Sequence, residues 1–530
     1  MGTINFGSVQ QFMEGTPTNI LGQRIDSQLS YQQWLMGWFA QYGLKVSSRL
    51  TVTMGLRHEF TTAPSERYDR AHSMQTFLDA GPDLTKPLFT PSKDNFAPRV
   101  GLAWDVSGNG RTSIRAGAGV FQEQLVPVVL RYTYARMPNL TQDFTVTNPG
   151  TGVVRVDPTK LPPGSGSGLF YEPHPKLPTR YQWSLNVEHE IVNGTTVSVA
   201  YVGSRSNHLQ YNPNNTDLYP PTCWPNSCGD NGSFFFPDIN PQTALRVNRN
   251  FASIRQHIWG GVAYYHSLQT NVTRRFGKGL QYQGSYTFSR NIDTAASTFG
   301  TVIAQNSGNI PNPFNMRSER GLSGIDPRHQ FSSNFTYDLP LARNSHGLVK
   351  TLIGGWQTNM IFTARGGLPF DIQSGYISRG LGRSRSGSGS PPGDRPDVAP
   401  GFSNNPTQGV SAGCQGVAKG QQLGTPTLYY DPCAFVLPPD GTFGNLGKNT
   451  LIGPRLVNLD FAMKKQFDIT ERVNLQFRAE LFNILNHPNF GNMIVTVFAG
   501  GAGARNGSAG QILNTATDPR QMQFALRLSF

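Results

Sequence analysis

Three groupings of residues in this chain have the type and spacing of chemical machinery. Gly444-Asn-Leu-Gly447-Lys448-Asn449 has the outline of a phosphate loop, in which glycine amides cradle phosphate oxygens and a lysine neutralises them. Asn449 stands where such a loop needs Ser or Thr, and Thr442 where it needs its first Gly, so the segment is set aside as a nucleotide site. Glu188 and Glu190 place two carboxylates on one face of an extended segment, as a glycosidase acid–base pair would. On a long alternating strand such residues simply line a wet wall. The ten His are dispersed, with His329 and His487 in or beside turns, so no metal site is expected. No catalytic constellation and no cofactor are therefore expected. Cys223 and Cys228 bracket Trp-Pro-Asn-Ser, and Cys414 and Cys433 share a long loop. Nearest-neighbour disulfides in an oxidising compartment are the simplest reading, although four cysteines allow three pairings.

The elements that hold these residues show a strong period of two. Met522, Phe524, Leu526, Leu528 and Phe530 fall on one face of the last segment, with Gln521, Gln523, Arg527 and Ser529 on the other. Val473, Leu475, Phe477, Ala479 and Leu481 alternate with Asn474, Gln476, Arg478 and Glu480. Tyr181, Trp183, Leu185 and Val187 oppose Gln182, Ser184, Asn186 and Glu188. Counting such runs predicts about thirteen strands, near 30–42, 46–60, 95–106, 112–123, 180–192, 195–206, 263–276, 279–292, 328–339, 354–370, 456–469, 472–486 and 521–530, and no helix. They are longer than the strands of soluble sheets and match the 9–11 residues or so that a tilted strand needs to cross a bilayer.

The connections alternate in length. Tight turns such as Asn193-Gly194 and Gly277-Lys278 are separated by excursions at 61–94, 124–179, 207–262, 293–327, 371–455 and 487–520, with 340–353 intermediate. Short turns on one side and long loops on the other is the plan of outer-membrane barrels, the short side periplasmic and the long side extracellular. A spanning sheet must close because hydrocarbon offers its backbone no hydrogen bonds. The apolar face then meets lipid, and Arg57, Glu59, Glu188, Glu190, Arg478 and Glu480 face the lumen. Trp34, Trp38, Tyr181, Trp183, Tyr282 and Tyr286 are candidates for interfacial girdles. The wet lumen accounts for a mean hydropathy of −0.37 in a membrane protein.

Composition agrees. With 58 Gly, 38 Pro and 15% charged residues among 530, the chain is neither a coiled coil nor collagen, and 11% aromatics exclude a disordered chain. The densest apolar run, Leu125 to Leu130, is broken by Pro127, far short of a spanning helix. Residues 1–30 show no signal-peptide pattern. The net charge of +13 comes from scattered Arg rather than a basic stripe, so nucleic acid is not an expected partner. Residues 373–399, rich in Gly, Ser, Arg and Pro, read as a surface loop. If Phe530 ends in the periplasm, alternating directions place residues 1–29 in an extracellular-loop remnant before the first strand of a barrel portion at 30–530. Thirteen strands plus nine further ones would give about 22, the number of the plugged outer-membrane transporters. On this expectation the chain is the C-terminal part of a larger protein.

Several stretches carry a resemblance: Asn95 to Trp104, Gly110 to Gly117, Tyr264 to Gln269, Tyr286 to Arg290, Asp326 to Phe331, Gly355-Trp356, Arg478 to His487 and the terminal Phe530. On them the chain resembles the barrel region of Oar-like TonB-dependent transporters of Gram-negative bacteria. The resemblance implies an all-β, antiparallel, up-and-down transmembrane barrel in the cell outer membrane. It implies outer-membrane lipid and lipopolysaccharide as surroundings, and uptake of a bulky solute whose identity the residues do not encode. Phe524, Leu526, Leu528 and Phe530 resemble the C-terminal insertion signal read by the outer-membrane assembly machinery. Such proteins ordinarily carry a signal peptide, an immunoglobulin-like module, a plug and a TonB-contacting box; none is recognised in this sequence, and a TonB complex is a partner only where plug and box exist upstream. The competing expectation is a surface adhesion or secretion-related barrel. Loop 371–455 is the candidate ligand loop. The full chain is expected to fractionate with the outer membrane and to change gel mobility on heating; recovery as a folded monomer in detergent-free water would overturn the membrane reading.

Overall fold

The computed structural model describes residues 2–25, 30–125, 141–147, 167–213, 248, 250–251, 253–275, 279–294, 309–310, 315–342, 344–375, 395–439, 442–470, 472–499 and 503–530. Thirteen long strands form one antiparallel meander in which each strand pairs with its neighbours along the chain. They are β1 Leu35–Lys45, β2 Leu50–Thr61, β3 Phe96–Asp105, β4 Thr112–Gln122, β5 Thr179–Val192, β6 Thr195–Pro213 and β7 Ser253–Arg275. After them come β8 Leu280–Asp293, β9 His329–Asp338, β10 Trp356–Arg365, β11 Leu456–Asp468, β12 Asn474–Phe482 and β13 Gln521–Ser529. β6 and β7 continue beyond their expected limits on the long-loop side, where they carry short parallel partner strands. Among the described residues β1 and β13 are unpaired on their outer edges, so the sheet is not closed.

Register preserves the two faces from one end of the sheet to the other, because cross-strand partners point the same way. Met54 sits opposite Val100, Val100 opposite Ala118, Ala118 opposite Trp183, and Trp183 opposite Gly203. Farther along, Leu268 faces Phe288, Tyr286 faces Phe331, Phe335 faces Met360, Met360 faces Phe461, and Phe461 faces Leu481. Leu481, Ala479, Phe477 and Leu475 pair with Met522, Phe524, Leu526 and Leu528. The result is one predominantly apolar face, with many of its large side chains exposed and with Arg205, Arg290 and Lys465 toward its rims. The reverse face is polar: Arg57, Arg99, Arg115, Gln182, Gln283, Asn334, Asn359, Lys464 and Arg478 recur along it.

Aromatics on the apolar face form two bands. Trp34, Trp38, Phe96, Tyr181, Trp183 and Tyr286 lie toward the long loops, and Trp104, Tyr282, Tyr337 and Trp356 toward the short turns. His side chains join the first band. His329 does not sit in a turn but opens β9, its Nδ1 2.8 Å from the Tyr286 hydroxyl, and His266 pairs with Tyr201 at 2.7 Å. Such amphipathic rings suit the level of the lipid headgroups.

Two α-helices among the described residues correct the helix-free expectation. α1, Val9–Met13, lies between two short strands, Gly2–Asn5 and Asn19–Ile25, that pair together; the second also pairs with Thr141–Thr147. α2, Gly347–Ile353, occupies the intermediate connection between β9 and β10. Leu185→Arg, on the apolar face of β5, is expected to lower folding stability in vesicles by about 2–4 kcal/mol, whereas Ser184→Arg on the polar face should change it little. Chemical denaturation of the two variants measures the difference.

Candidate functional site

The long-loop side carries the largest buried apolar cluster among the described residues. Phe370, Ile372, Tyr430, Phe435, Leu446, Leu451, Met493, Val497 and Phe498 form a buried cluster drawn from the excursions after β10 and after β12. These loops thus have a core of their own, although the Gly/Ser-rich stretch within the first of them reads as loop. Residues 395–399 enter this packing through the short strand Asp397–Val398, paired with Phe435–Val436; 376–394 lie outside the described residues.

Polar ties hold the module together. Cys414 and Cys433 form a disulfide with Cα atoms 5.6 Å apart. Cys223 and Cys228 lie outside the described residues. Beside the disulfide, the Asp431 carboxylate accepts from the Cys433 amide at 3.0 Å, the Ser411 hydroxyl at 3.1 Å and the Ala412 amide at 2.9 Å. The Arg505 guanidinium donates to the carbonyls of Pro432 and Phe435, bringing in the loop after β12. The Tyr430 hydroxyl, fully buried, donates to the Ile494 carbonyl at 2.9 Å, and burial pushes its pKa well above the usual phenol range.

A second set of contacts draws in the excursion after β8. Arg395 makes a bidentate pair with Glu319, at 3.0 and 2.9 Å, and donates to the Leu446 carbonyl at 3.0 Å. Asp371 lies 4.0 Å from the same guanidinium and accepts from the Asn449 amide at 2.5 Å; burial pushes its carboxyl up, against the pull of Arg395. Lys448 pairs with Asp293 at the end of β8, and the Asn449 side-chain amide donates to the Leu322 carbonyl at 2.6 Å. Asn449 has φ +53°, a left-handed conformation that Asn tolerates better than most residues. The segment resembling a phosphate loop therefore commits its lysine and asparagine to joining loops.

The stretch Arg478 to His487 has a comparable structural task. Asn483, at φ +47°, donates to the carbonyls of His487 and Asp518, both at 3.1 Å, and its amide reaches Asp460 at 2.8 Å. Asn489 bridges β11 and Thr517. Asp326 accepts from Ser289 at 2.6 Å and from the Asn291 amide at 2.7 Å, returning the preceding excursion to β8.

A separate cluster forms beneath the excursions after β2 and β4. Phe89, Leu169, Tyr171 and Trp259 are buried there, with Tyr171 stacked on His257 at 4.6 Å between ring centres. Glu66 ties this region, accepting from Arg70 at 2.7 Å and from the amides of Tyr68 and Ser30; these bonds, led by Arg70, pull its carboxyl down to about 2.

The remaining sequence-derived residues lie on the sheet. Arg57 pairs with Glu59, Arg478 with Glu480, and Arg115 with Glu188 at 3.5 Å, all on the polar face. Glu190 shares that face, but its carboxylate accepts from the Gly194 amide at 2.9 Å and caps the β5–β6 turn, so it forms no acid–base pair with Glu188. Phe524, Leu526 and Leu528 are exposed on the apolar face, and Phe530 ends the chain almost wholly exposed. Among the described residues no three His, Cys, Asp or Glu side chains converge as metal ligands. Sequence reasoning missed Arg395, Glu319, Asp371 and Asp293, since partners 76 or 155 positions apart leave no local pattern.

An antiparallel meander of long strands, apolar on one face and polar on the other, banded by aromatics and bearing loops on one side, defines the wall of a membrane-spanning barrel. The family model described as "Outer membrane beta barrel domain" matches residues 1–523, and the chain belongs to that family; it is a protein of the outer membrane. No curated protein matches it in sequence. Among solved structures it is similar to the ferripyoverdine receptor of the outer membrane of Pseudomonas aeruginosa, at 12% identity and TM-score 0.42, covering 97% of this chain and 40% of that one. It is also similar to the outer membrane transporter YddB from Escherichia coli, at 10% identity and TM-score 0.44, covering 96% of this chain and 50% of that one. For the siderophore receptor PirA from Acinetobacter baumannii the values are 11%, 0.40, 94% and 46%. The chain thus spans half or less of the length of each of these three.

Glu319→Gln removes the carboxylate that holds the buried Arg395 guanidinium through two hydrogen bonds. It is expected to destabilise the loop module by about 3–5 kcal/mol, the usual result of removing one partner from a buried pair. Faster amide hydrogen exchange at 395–399 and 444–449, with unchanged exchange in β11 and β12, would report it.

Proposed function

We propose that this chain is the barrel of a TonB-dependent receptor of the Oar-like kind, which binds a bulky solute at its long loops and admits it through a polar lumen. The observation that carries the reading is the loop module itself. A shared core, a disulfide and buried ion pairs join the excursions after β8, β10 and β12, which turns separate loops into one preorganised surface at the mouth of a polar-faced wall. Rigid loops lower the ordering cost of capturing a ligand. The polar face, with Arg57, Glu59, Glu188, Arg478 and Glu480, supplies a wet path that an apolar interior would deny.

The edges of β1 and β13, unpaired among the described residues, support the rest of the proposal. An open edge in hydrocarbon would leave a row of amides and carbonyls unsatisfied, so β1 and β13 require partners. Further strands, bringing the wall to about 22, would supply them, and a plug with its TonB-contacting segment would then gate the lumen. Outer-membrane lipid and lipopolysaccharide surround the barrel in this reading, and the assembly machinery takes hold at Phe524, Leu526, Leu528 and Phe530.

Deletion of 371–455 from the full chain is expected to abolish solute binding by outer-membrane vesicles while leaving heat-modifiable mobility intact. Unchanged binding would remove the ligand role of the loop. Binding that is lost with the loop, but never followed by energy-dependent uptake in cells, would favour an adhesive barrel over a transporter.

A further inference from the structure

The helix α2 is amphipathic in the wrong sense for a protein surface in water. Leu348, Val349, Leu352 and Ile353, at spacings of one and four, share one side, and Lys350 and Thr351 the other. The apolar side points outward: these four are 78%, 51%, 63% and 48% exposed, with Leu341 just before them at 45%. The polar side, also exposed, borders the barrel rim, where Lys350 and Thr351 join Asp338, Gln466 and Asp468 around an open cavity of about 510 Å³. A seven-residue helix gains too little from its own hydrogen bonds to persist in water and depends on burying an apolar side. Among the described residues nothing packs against that side.

The helix is also continuous with the apolar face of the sheet. The Trp356 indole, in the aromatic band at the short-turn rim, donates to the Leu352 carbonyl at 3.1 Å. The ammonium of Lys465, a cation on the apolar face of β11, donates to the Gly354 carbonyl at the end of the helix and lies 5.2 Å from the Trp356 ring centre and 4.9 Å from that of Phe467. Capped by that carbonyl and covered by the two rings, the buried Lys465 ties β11 to the end of the helix at the level of the aromatic rim.

We propose that α2 lies in the headgroup region of the periplasmic leaflet, its Leu348–Ile353 side immersed in phospholipid and its Lys350 side turned to the barrel rim. The segment acts as an interfacial anchor that fixes the depth of the neighbouring β9–β10 hairpin. This inference rests on the membrane placement of the sheet and is independent of what the long loops bind.

Nitroxide labels placed singly at Leu348, Leu352, Lys350 and Thr351 test it, in the full chain refolded in vesicles of phosphatidylethanolamine and phosphatidylglycerol. Cys223 and Cys228 are replaced by Ser, and heat-modifiable mobility verifies each variant. Leu348 and Leu352 labels are expected to collide with oxygen several-fold more, relative to a water-soluble nickel chelate, than Lys350 and Thr351 labels do. High access to the chelate at Leu348 and Leu352 would mean the helix stands in water and would overturn the proposal. Shielding of both positions from both reagents would mean a protein surface covers the helix, and would equally overturn it. Should either Leu variant fail to fold, Val349 and Ile353 carry the same expectation.

Discussion

Backbone amides and carbonyls in hydrocarbon have no water to turn to, and this one requirement shapes the whole chain. Every strand must give its hydrogen bonds to a neighbour, and every side chain on the outer surface must tolerate lipid. A one-residue slip in any of the pairings would move that strand's apolar set to the wet side. The register of the thirteen strands contains no such slip across the apolar face, from Met54 and Val100 through to Leu475 and Leu528. Small irregularities fall at strand ends, near Ser206 and Leu209 toward the long loops and at Glu190–Val192 beside the β5–β6 turn, where water can satisfy what the ladder leaves.

The same requirement separates two kinds of stabilisation. Within the wall, pairing and apolar contact with lipid do most of the work, and ion pairs such as Arg57 with Glu59 decorate the polar face. Above the wall, the loops behave like a small soluble domain. They have a core around Tyr430 and Phe435, a disulfide, and buried charges that are each paired and hydrogen-bonded. Buried ion pairs of this sort add specificity of arrangement more readily than net stability. Arg395 is a case in point, since Glu319 approaches it from the excursion after β8 and Asp371 and Leu446 from two ends of the excursion after β10, so it fixes how those segments meet.

The rims mark the change from one regime to the other. Tyr–His pairs and Trp residues crowd the long-loop side of the apolar face, and Trp356, Lys465 and α2 crowd the short-turn side. Both are assemblies of amphipathic groups, which is what a boundary between water and acyl chains selects.

Period-two alternation made the strands legible, because a strand side chain has two directions to point and a bilayer leaves each direction one chemistry. The alternation of short and long connections made the topology legible for a similar reason: antiparallel neighbours can be joined by two residues, and any excess length must stand on one side. The residues 347–353 did carry a helical spacing, yet so short a run is overshadowed by the strands around it. Other features had no local trace. That Lys448 would bind Asp293, and that Asn449 would leave a phosphate-loop outline to join Leu322, were settled by which loops the hairpins bring together. Sequence by itself determined the two faces and the order of the strands, since both follow from short-range sterics and solvent preference. The tertiary structure alone decided the loop module and the outward turn of α2, because partners far apart along the chain are chosen by the space that folding leaves between them.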